Sequence, residues 1–132
     1  MAEYLNYCVV RYCPDCIRGE FINVGLVGVS TTGDIVCRMG NVSTLIKKVA
    51  VLFDDAAVEA FRPVIESVVA DVEYWKSQLT LTAADSESKS FWFKGHWGKP
   101  REGIIQVSSI ATRKCVPDLD TTLDSLMALY CK

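Results

Sequence analysis

The sequence predicts an α+β fold in which helices pack on one face of a mainly antiparallel sheet. Two runs, residues 4–12 and 21–30, are rich in aromatic and β-branched side chains, and turn residues 31–34 lead into a third run at 34–39. From Val42 onward a helical period replaces this β-meander. Strands followed by helices, with one later strand, are typical of the α+β class.

Two glycines lie inside the second β-prone run. Gly25 and Gly28 would weaken a strand unless they mark a bulge or the close approach of another backbone. We expect the strand to bend there.

The longest predicted helix begins at Asp54 or Asp55, both good cap residues. Its apolar stripe comprises Val58, Phe61, Ile65, Val68, Val72, Trp75 and Leu79. Pro63 predicts a kink near Glu59 or a new helix start at Arg62. We interpret the stripe as core-facing, and the alternative is a seam that pairs two chains as a homodimer.

Two shorter helices flank this region of the sequence. Residues 42–52 predict a helix capped by Asn41 or Ser43. A C-terminal helix begins after a cap at Asp118 or Asp120. Its apolar face carries Leu119, Leu123, Leu126 and Tyr130.

The segment between the long helix and the C-terminal helix is less regular. Residues 84–90 are small and polar and predict an exposed loop, and the aromatic and basic residues 91–101 continue it. Residues 103–116 predict a strand that ends at Pro117.

Size and charge narrow the class of protein. The 132 residues, half of them hydrophobic, suit a single domain over 1–132. A net charge of -2 lacks the basic excess that accompanies phosphate binding, so nucleic acid is the less favoured partner. No apolar run approaches the roughly 20 residues of a membrane span, and the first residues lack a signal peptide's basic character. We therefore expect a cytoplasmic protein with no membrane partner.

The six cysteines include the pair in Cys-Pro-Asp-Cys, at Cys13 and Cys16. A redox role requires a following helix, and zinc requires further ligands, with Cys8 as the nearest. Because a β-prone run follows and no second pair exists, we interpret these residues as reduced thiols and expect no metal or cofactor. Metal binding by Cys8, Cys13 and Cys16 stays open. We interpret the lone His96 as a loop residue.

Five polar residues cluster around the first two β-prone runs. They are Arg11, Asp15, Arg18, Glu20 and Asn23. A hairpin would bring their charges together, either as ordinary ion pairs or as a polar surface for a ligand. Catalysis would need Glu20 as acid or base, which is weak evidence without a nucleophile or metal.

Residues 7–25 resemble the start of a bacterial family, DUF3037, whose members carry the pattern Y-x-V-x-R-Y-x-P-D-x-x-R-G-E-x-x-N-V-G. The matching residues are Tyr7, Val9, Arg11, Tyr12, Pro14, Asp15, Arg18, Gly19, Glu20, Asn23, Val24 and Gly25. Residues 104–130 are similar to the family's closing strand and helix, more loosely. Both cysteines of Cys-Pro-Asp-Cys occupy variable positions, which weakens the metal and redox interpretations. We name the five polar residues the signature patch.

The resemblance implies no established activity. It implies that some members lie beside genes for HipA-like kinases, and hence an accessory or regulatory role with a protein partner. It also implies occurrence on phage or other mobile elements.

The aromatic segment has three interpretations. Its candidate partner-binding residues are Trp92, Trp97, Lys99 and Arg101. The rings close the core over the long helix, or they anchor a protein interface, or they stack unpaired bases while the cations meet phosphates.

These observations favour a small protein-binding accessory or regulatory module with no catalysis of its own. The first alternative is single-stranded nucleic-acid binding through residues 91–101. The second is a hydrolase or transferase that uses the Arg-Gly-Glu segment at 18–20.

Overall fold

A computed structural model describes residues 2–15, 19–98 and 104–131. The elements are β1 (Tyr4–Asp15), β2 (Glu20–Ser30), β3 (Ile35–Met39), α1 (Val42–Leu52), α2 (Asp55–Leu81), α3 (Ser86–His96), β4 (Ile105–Val107), β5 (Ala111–Lys114) and α4 (Leu119–Tyr130). The described strands form one antiparallel sheet in the order β3-β2-β1-β4, with β5 also on β1. The predicted α+β class is confirmed; the single-domain organisation stays a prediction.

The two longest strands, β1 and β2, form a hairpin with a bulge. Val10 pairs with Gly25 and Arg11 pairs with Asn23, so Val24 is an extra residue on β2. A Cβ at Gly25 would lie 2.5 Å from the carbonyl oxygen of Arg38 on β3. The register shift lies next to Gly25, and neighbouring backbone approaches closely at the same point, whereas at Gly28 only the close approach is found, with a Cβ 2.6 Å from the Asn6 carbonyl oxygen.

The predicted strand over 103–116 is two short strands in its described part. Between them, the Ser108 hydroxyl accepts the N–H of Val9 at 2.8 Å, and the Ser108 N–H donates to the Val9 carbonyl at 3.0 Å. A side chain thus takes a ladder position and interrupts the strand, so β4 and β5 pair with different parts of β1.

Helices cover both faces of the sheet, and the expectation that all helices lie on one face was wrong. On one face Cys8, Val10 and Tyr12 of β1 pack in a core with residues of α1, α2 and α3. On the other face Leu5, Tyr7 and Val9 of β1 pack in a core with Leu119, Leu123, Leu126 and Met127 of α4. Because successive side chains of β1 point to opposite faces and both sets are apolar, each face requires cover.

The long helix α2 runs through Pro63 without a new start at Arg62. Asp54 caps it by accepting the N–H of Ala57 at 2.9 Å. The buried residues are Ala57, Phe61, Ile65, Val68 and Val72, which hold both sides of the proline to one core. This packing offsets the hydrogen bond that proline removes. Because the stripe packs within its own chain, the homodimer, which stays a prediction, would have to use another face of the helix.

The segment predicted as an exposed loop at 84–90 is mostly helical. Asp85 caps α3 by accepting the N–H of Ser88 at 2.8 Å, and this bond lowers the pKa of the Asp85 carboxyl. Glu87 in the first turn and Lys94 in the last match the helix dipole. α3 therefore runs back along α2 and brings the aromatic residues onto a helix instead of a loop.

Candidate functional site

The signature patch lies partly on the sheet face that α4 covers. Arg11 and Asn23 are direct cross-strand partners. Both lie on the same face of the sheet as Tyr7 and Val9. The α4 helix ends at Tyr130, so this part of the face lies beyond its last turn. The hairpin therefore brings two of the five predicted polar residues side by side.

Arg11 is held by an aromatic ring and not by an acid. Its guanidinium carbon lies 4.5 Å from the centroid of the Phe21 ring, a cation–π contact. Across the described residues, Arg11 forms no ion pair, and its buried Nε has no hydrogen-bond partner. The guanidinium is therefore positioned by the ring, and no acid in the described part of the chain pairs with its donors.

Asn23 ties the patch to the C-terminal helix. Its Nδ2 donates to the Tyr130 carbonyl at 2.9 Å, one of the carbonyls that a helix end leaves without an intrahelical partner. Its Oδ1 is buried and accepts no hydrogen bond from any residue in the described ranges. Asn23 thus has a structural bond on one atom and an unsatisfied acceptor on the other.

Two tyrosines border the same area. The hydroxyls of Tyr7 and Tyr130 lie 3.4 Å apart, and their ring centroids are 6.2 Å apart. Burial, followed by the Tyr130 hydroxyl, raises the pKa of Tyr7 to about 12. Tyr7 is therefore a neutral hydrogen-bonding group at ordinary pH.

The remaining signature residues lie toward the end of the hairpin. Glu20 is exposed at the start of β2, and its backbone pairs with that of Asp15. Arg18 and the side chain of Asp15 lie outside the described part. Within that part, no group of three His, Cys, Asp or Glu side chains could hold a metal ion.

A second region consists of rings between α2 and α3. We name it the aromatic cluster: Tyr74, Trp75, Trp92, Phe93, His96 and Trp97. The Trp75 and Trp92 centroids are 6.2 Å apart, and the His96 ring stacks on Trp92 at 5.9 Å and 19°. The cluster therefore joins α3 to the part of α2 around Asp71 and Trp75.

His96 forms a hydrogen bond across the helical pair. Its Nε2–H donates to Asp71 Oδ2 at 2.8 Å. Both residues line a cavity of about 440 Å³, which Ser67 also lines.

The predicted partner-binding residues have different positions. Trp97 is 1% exposed and packs in the core, as in the interpretation that the rings close the core over the long helix, and its partner-binding role stays a prediction. Trp92 is half-buried, and its Nε1 is a buried donor without a partner in the described segments. Lys99 and Arg101 lie outside the described residues.

Two features were missed by sequence analysis. The first is Phe91 of α3, whose side chain is 81% exposed. The helical period could have found it, because Phe93 and Trp97 lie four residues apart on one face and Phe91 does not share it. The Arg11–Phe21 contact links two strands, and only the bulge determines which residues meet.

The cysteines in the described residues are buried or half-buried. Cys8 and Cys13 are buried, and Cys16 lies outside the described residues. Burial, followed by the charge of Glu73, raises the pKa of Cys37 to about 11. None of the described helices has the length and hydropathy of a membrane span.

The fold and these two regions define a small α+β protein with a polar hairpin patch and an aromatic helical pair. Residues 7–131 match the family model described as "Protein of unknown function (DUF3037)". The match covers nearly the whole chain, which therefore belongs to the DUF3037 family, as the resemblance predicted. No curated protein and no solved structure matches the chain significantly.

Proposed function

We propose that this protein is a non-catalytic accessory or regulatory module that binds another protein through the outer side of α3. The observation that carries the proposal is Phe91, which is 81% exposed on a helix whose Phe93 and Trp97 are buried. Water contact with a whole phenyl ring is unfavourable, and aromatic side chains supply much of the energy of protein interfaces.

Other exposed side chains on the same helical pair support this proposal. Tyr74 and Leu81 of α2 are 57% and 78% exposed. Trp92 of α3 is half-buried, and aromatic side chains of this kind are common in protein interfaces. A rigid pair of helices presents these groups with little loss of conformational entropy on binding.

The other candidate functions have weaker support. Nucleic-acid stacking needs several open ring faces, but most rings of the aromatic cluster contact one another. Catalysis by Glu20 has no support from a metal site, because no cluster of His, Cys, Asp or Glu among the described residues could hold a metal ion. A HipA-like kinase, which the family resemblance implies, is the first partner to test. As part of the same proposal, the protein acts in the cytoplasm, where its thiols stay reduced.

The proposal is tested by affinity capture from a lysate of the native host and by direct binding to a purified HipA-like kinase. Wild type is compared with Phe91→Ala and with a matched control, Val51→Ala, because Val51 of α1 is 83% exposed. A protein retained by wild type and Val51→Ala but lost from Phe91→Ala supports the proposal.

Three results would contradict it. Equal capture by Phe91→Ala would exclude the α3 surface, and capture of nucleic acid that salt releases would favour the alternative function. Turnover that is abolished in a folded Glu20→Gln variant would make the protein an enzyme.

A further inference from the structure

The guanidinium of Arg11, which has no acidic partner among the described residues, indicates a second recognition site. We propose that the Arg11 guanidinium, which lies on the Phe21 ring and beside Asn23, binds a carboxylate on an extended acidic segment of a partner protein. This site lies on the α4 face of the sheet, and α3 lies on the other face, so the inference goes beyond the proposed function and can fail separately.

The chemistry of Arg11 selects the ligand group. A guanidinium that stacks on a ring keeps its N–H donors in one plane, and that fork matches the two oxygens of a carboxylate. No acid among the described residues occupies it. The fork is also partly desolvated, because Arg11 is half-buried and its Nε is fully covered. Partial desolvation strengthens its attraction for an opposite charge.

Asn23 fixes the position of the site relative to α4. Its Nδ2 donates to the Tyr130 carbonyl at 2.9 Å, and its Oδ1 is buried. A ligand from outside does not reach that oxygen, so the contact with the ligand is made by the Arg11 guanidinium.

The edge of the sheet favours an extended segment. β3 pairs with Gly25 to Val29 of β2, and the last bond beyond that ladder joins the Gly40 N–H to the Val24 carbonyl. None of the described strands pairs with the outer side of β2 from Glu20 to Asn23. A partner strand there would lie about 10 Å from β1, a distance that long Glu and Arg side chains together can span.

The test uses a fluorescein-labelled peptide of alternating Glu and Thr, with the matched Gln and Thr peptide as its control. Fluorescence anisotropy at low salt should give a dissociation constant of about 1 mM or tighter for the acidic peptide and at least about tenfold weaker binding for the neutral one. Equal binding of the two peptides, or no binding of the acidic peptide at about 10 mM, would overturn the proposal.

Variants locate the binding. Arg11→Lys keeps the charge and removes the planar fork, so affinity should fall about tenfold. Arg113→Gln is the matched control, because Arg113 is exposed and faces the same side as its cross-strand partner Leu5. An equal or larger loss with Arg113→Gln would assign the binding to general charge and overturn the site.

Two further experiments are a replacement variant and a titration with small anions. If Arg11→Lys fails to fold by circular dichroism, Phe21→Leu replaces it, because that ring is 42% exposed and its loss should weaken binding without unfolding. Acetate and inorganic phosphate are titrated while the arginine side-chain N–H signals are followed by NMR. Saturation of the Arg11 signal by either small anion at lower concentration than by the peptide would overturn the assignment to a protein segment.

Discussion

The signature patch and the aromatic cluster lie on opposite faces of the sheet and differ in what holds them. The signature patch rests on cross-strand neighbours, Arg11 and Asn23, each with a polar atom that lacks an internal partner within the described residues. In the aromatic cluster, rings contact one another between two helices and His96 bonds Asp71, but the buried Trp92 Nε1 also lacks a partner there. The two regions therefore differ in the interaction that we propose for each, which is a charge pair at the patch and apolar contact at the outer side of α3.

The largest expected effect separates the core of the aromatic cluster from its surface. Trp97→Ala should lower the free energy of unfolding by about 3–5 kcal/mol, because a buried indole is lost and a cavity remains. Phe91→Ala should change it by no more than about 0.5 kcal/mol. Urea unfolding of both variants measures the difference. Similar losses would mean that the two rings do not differ in burial.

The next effect concerns the backbone beneath the signature patch. Gly25→Ala should destabilise the protein by about 1–3 kcal/mol, because the new methyl group would meet the Arg38 carbonyl oxygen at 2.5 Å. Gly19→Ala meets no atom within 4 Å, but its φ of +72° makes Ala cost about 1 kcal/mol. Chemical denaturation ranks the two variants. A smaller loss of stability for Gly25→Ala than for Gly19→Ala would mean that β2 and β3 are farther apart at Gly25 than the structure shows.

A smaller effect tests the tyrosine pair beside the patch. The raised pKa of Tyr7, about 12, means that its stabilising contribution is present below the ordinary value of 10.0 and is lost as pH rises toward 12. Tyr130→Phe should lower the pKa of Tyr7 partway, because burial, the largest cause, remains. Alkaline titration by ultraviolet absorbance measures it, with Tyr7→Phe identifying the signal. An unchanged pKa would exclude the hydroxyl contact.

The smallest effect concerns the helix caps, of which one lies on the helix beside each region. Asp85 caps α3 and Asp118 caps α4, and a backbone N–H bond lowers the pKa of each carboxyl from 3.8. Since the folded-state pKa is lowered, the stabilisation is present above the unfolded value and is lost as pH falls through the folded value. Asp85→Asn and Asp118→Asn keep a capping oxygen without a titrating charge.

Urea midpoints of these variants are compared with wild type across pH. Wild type should be the more stable near neutral pH, and the difference should shrink below about pH 4. A difference that does not change with pH would show that the charge of the caps contributes nothing.

Much of the fold could be predicted because caps and periods are local. α1 was predicted at 42–52 with Asn41 as one of two caps, and α4 with Asp118 as one of two caps. α3 could not be predicted from its period, because its polar first turn has no apolar stripe and only Phe93 within it is buried. Asp85 followed by Glu87 was the local signal of a helix start that was missed.

The site was less predictable, because its contacts depend on register and layer. The hairpin predicted that signature residues would approach one another, but the bulge at Val24 decides that Arg11 faces Asn23. Trp97 could not be distinguished from Phe91 by residue type, since burial depends on the face of a helix that was predicted as a loop. Coverage of both faces of the sheet was missed, although β1 is apolar on both faces and this pattern was the signal that each face requires cover.

Hydrogen exchange of the wild-type protein, alone and with the partner that it captures, tests whether the two faces of the sheet present two separate binding surfaces. Exchange should slow in α3 on one face and around Arg11 and Asn23 of the hairpin on the other. Protection confined to α1, where Val51 is equally exposed, would contradict it.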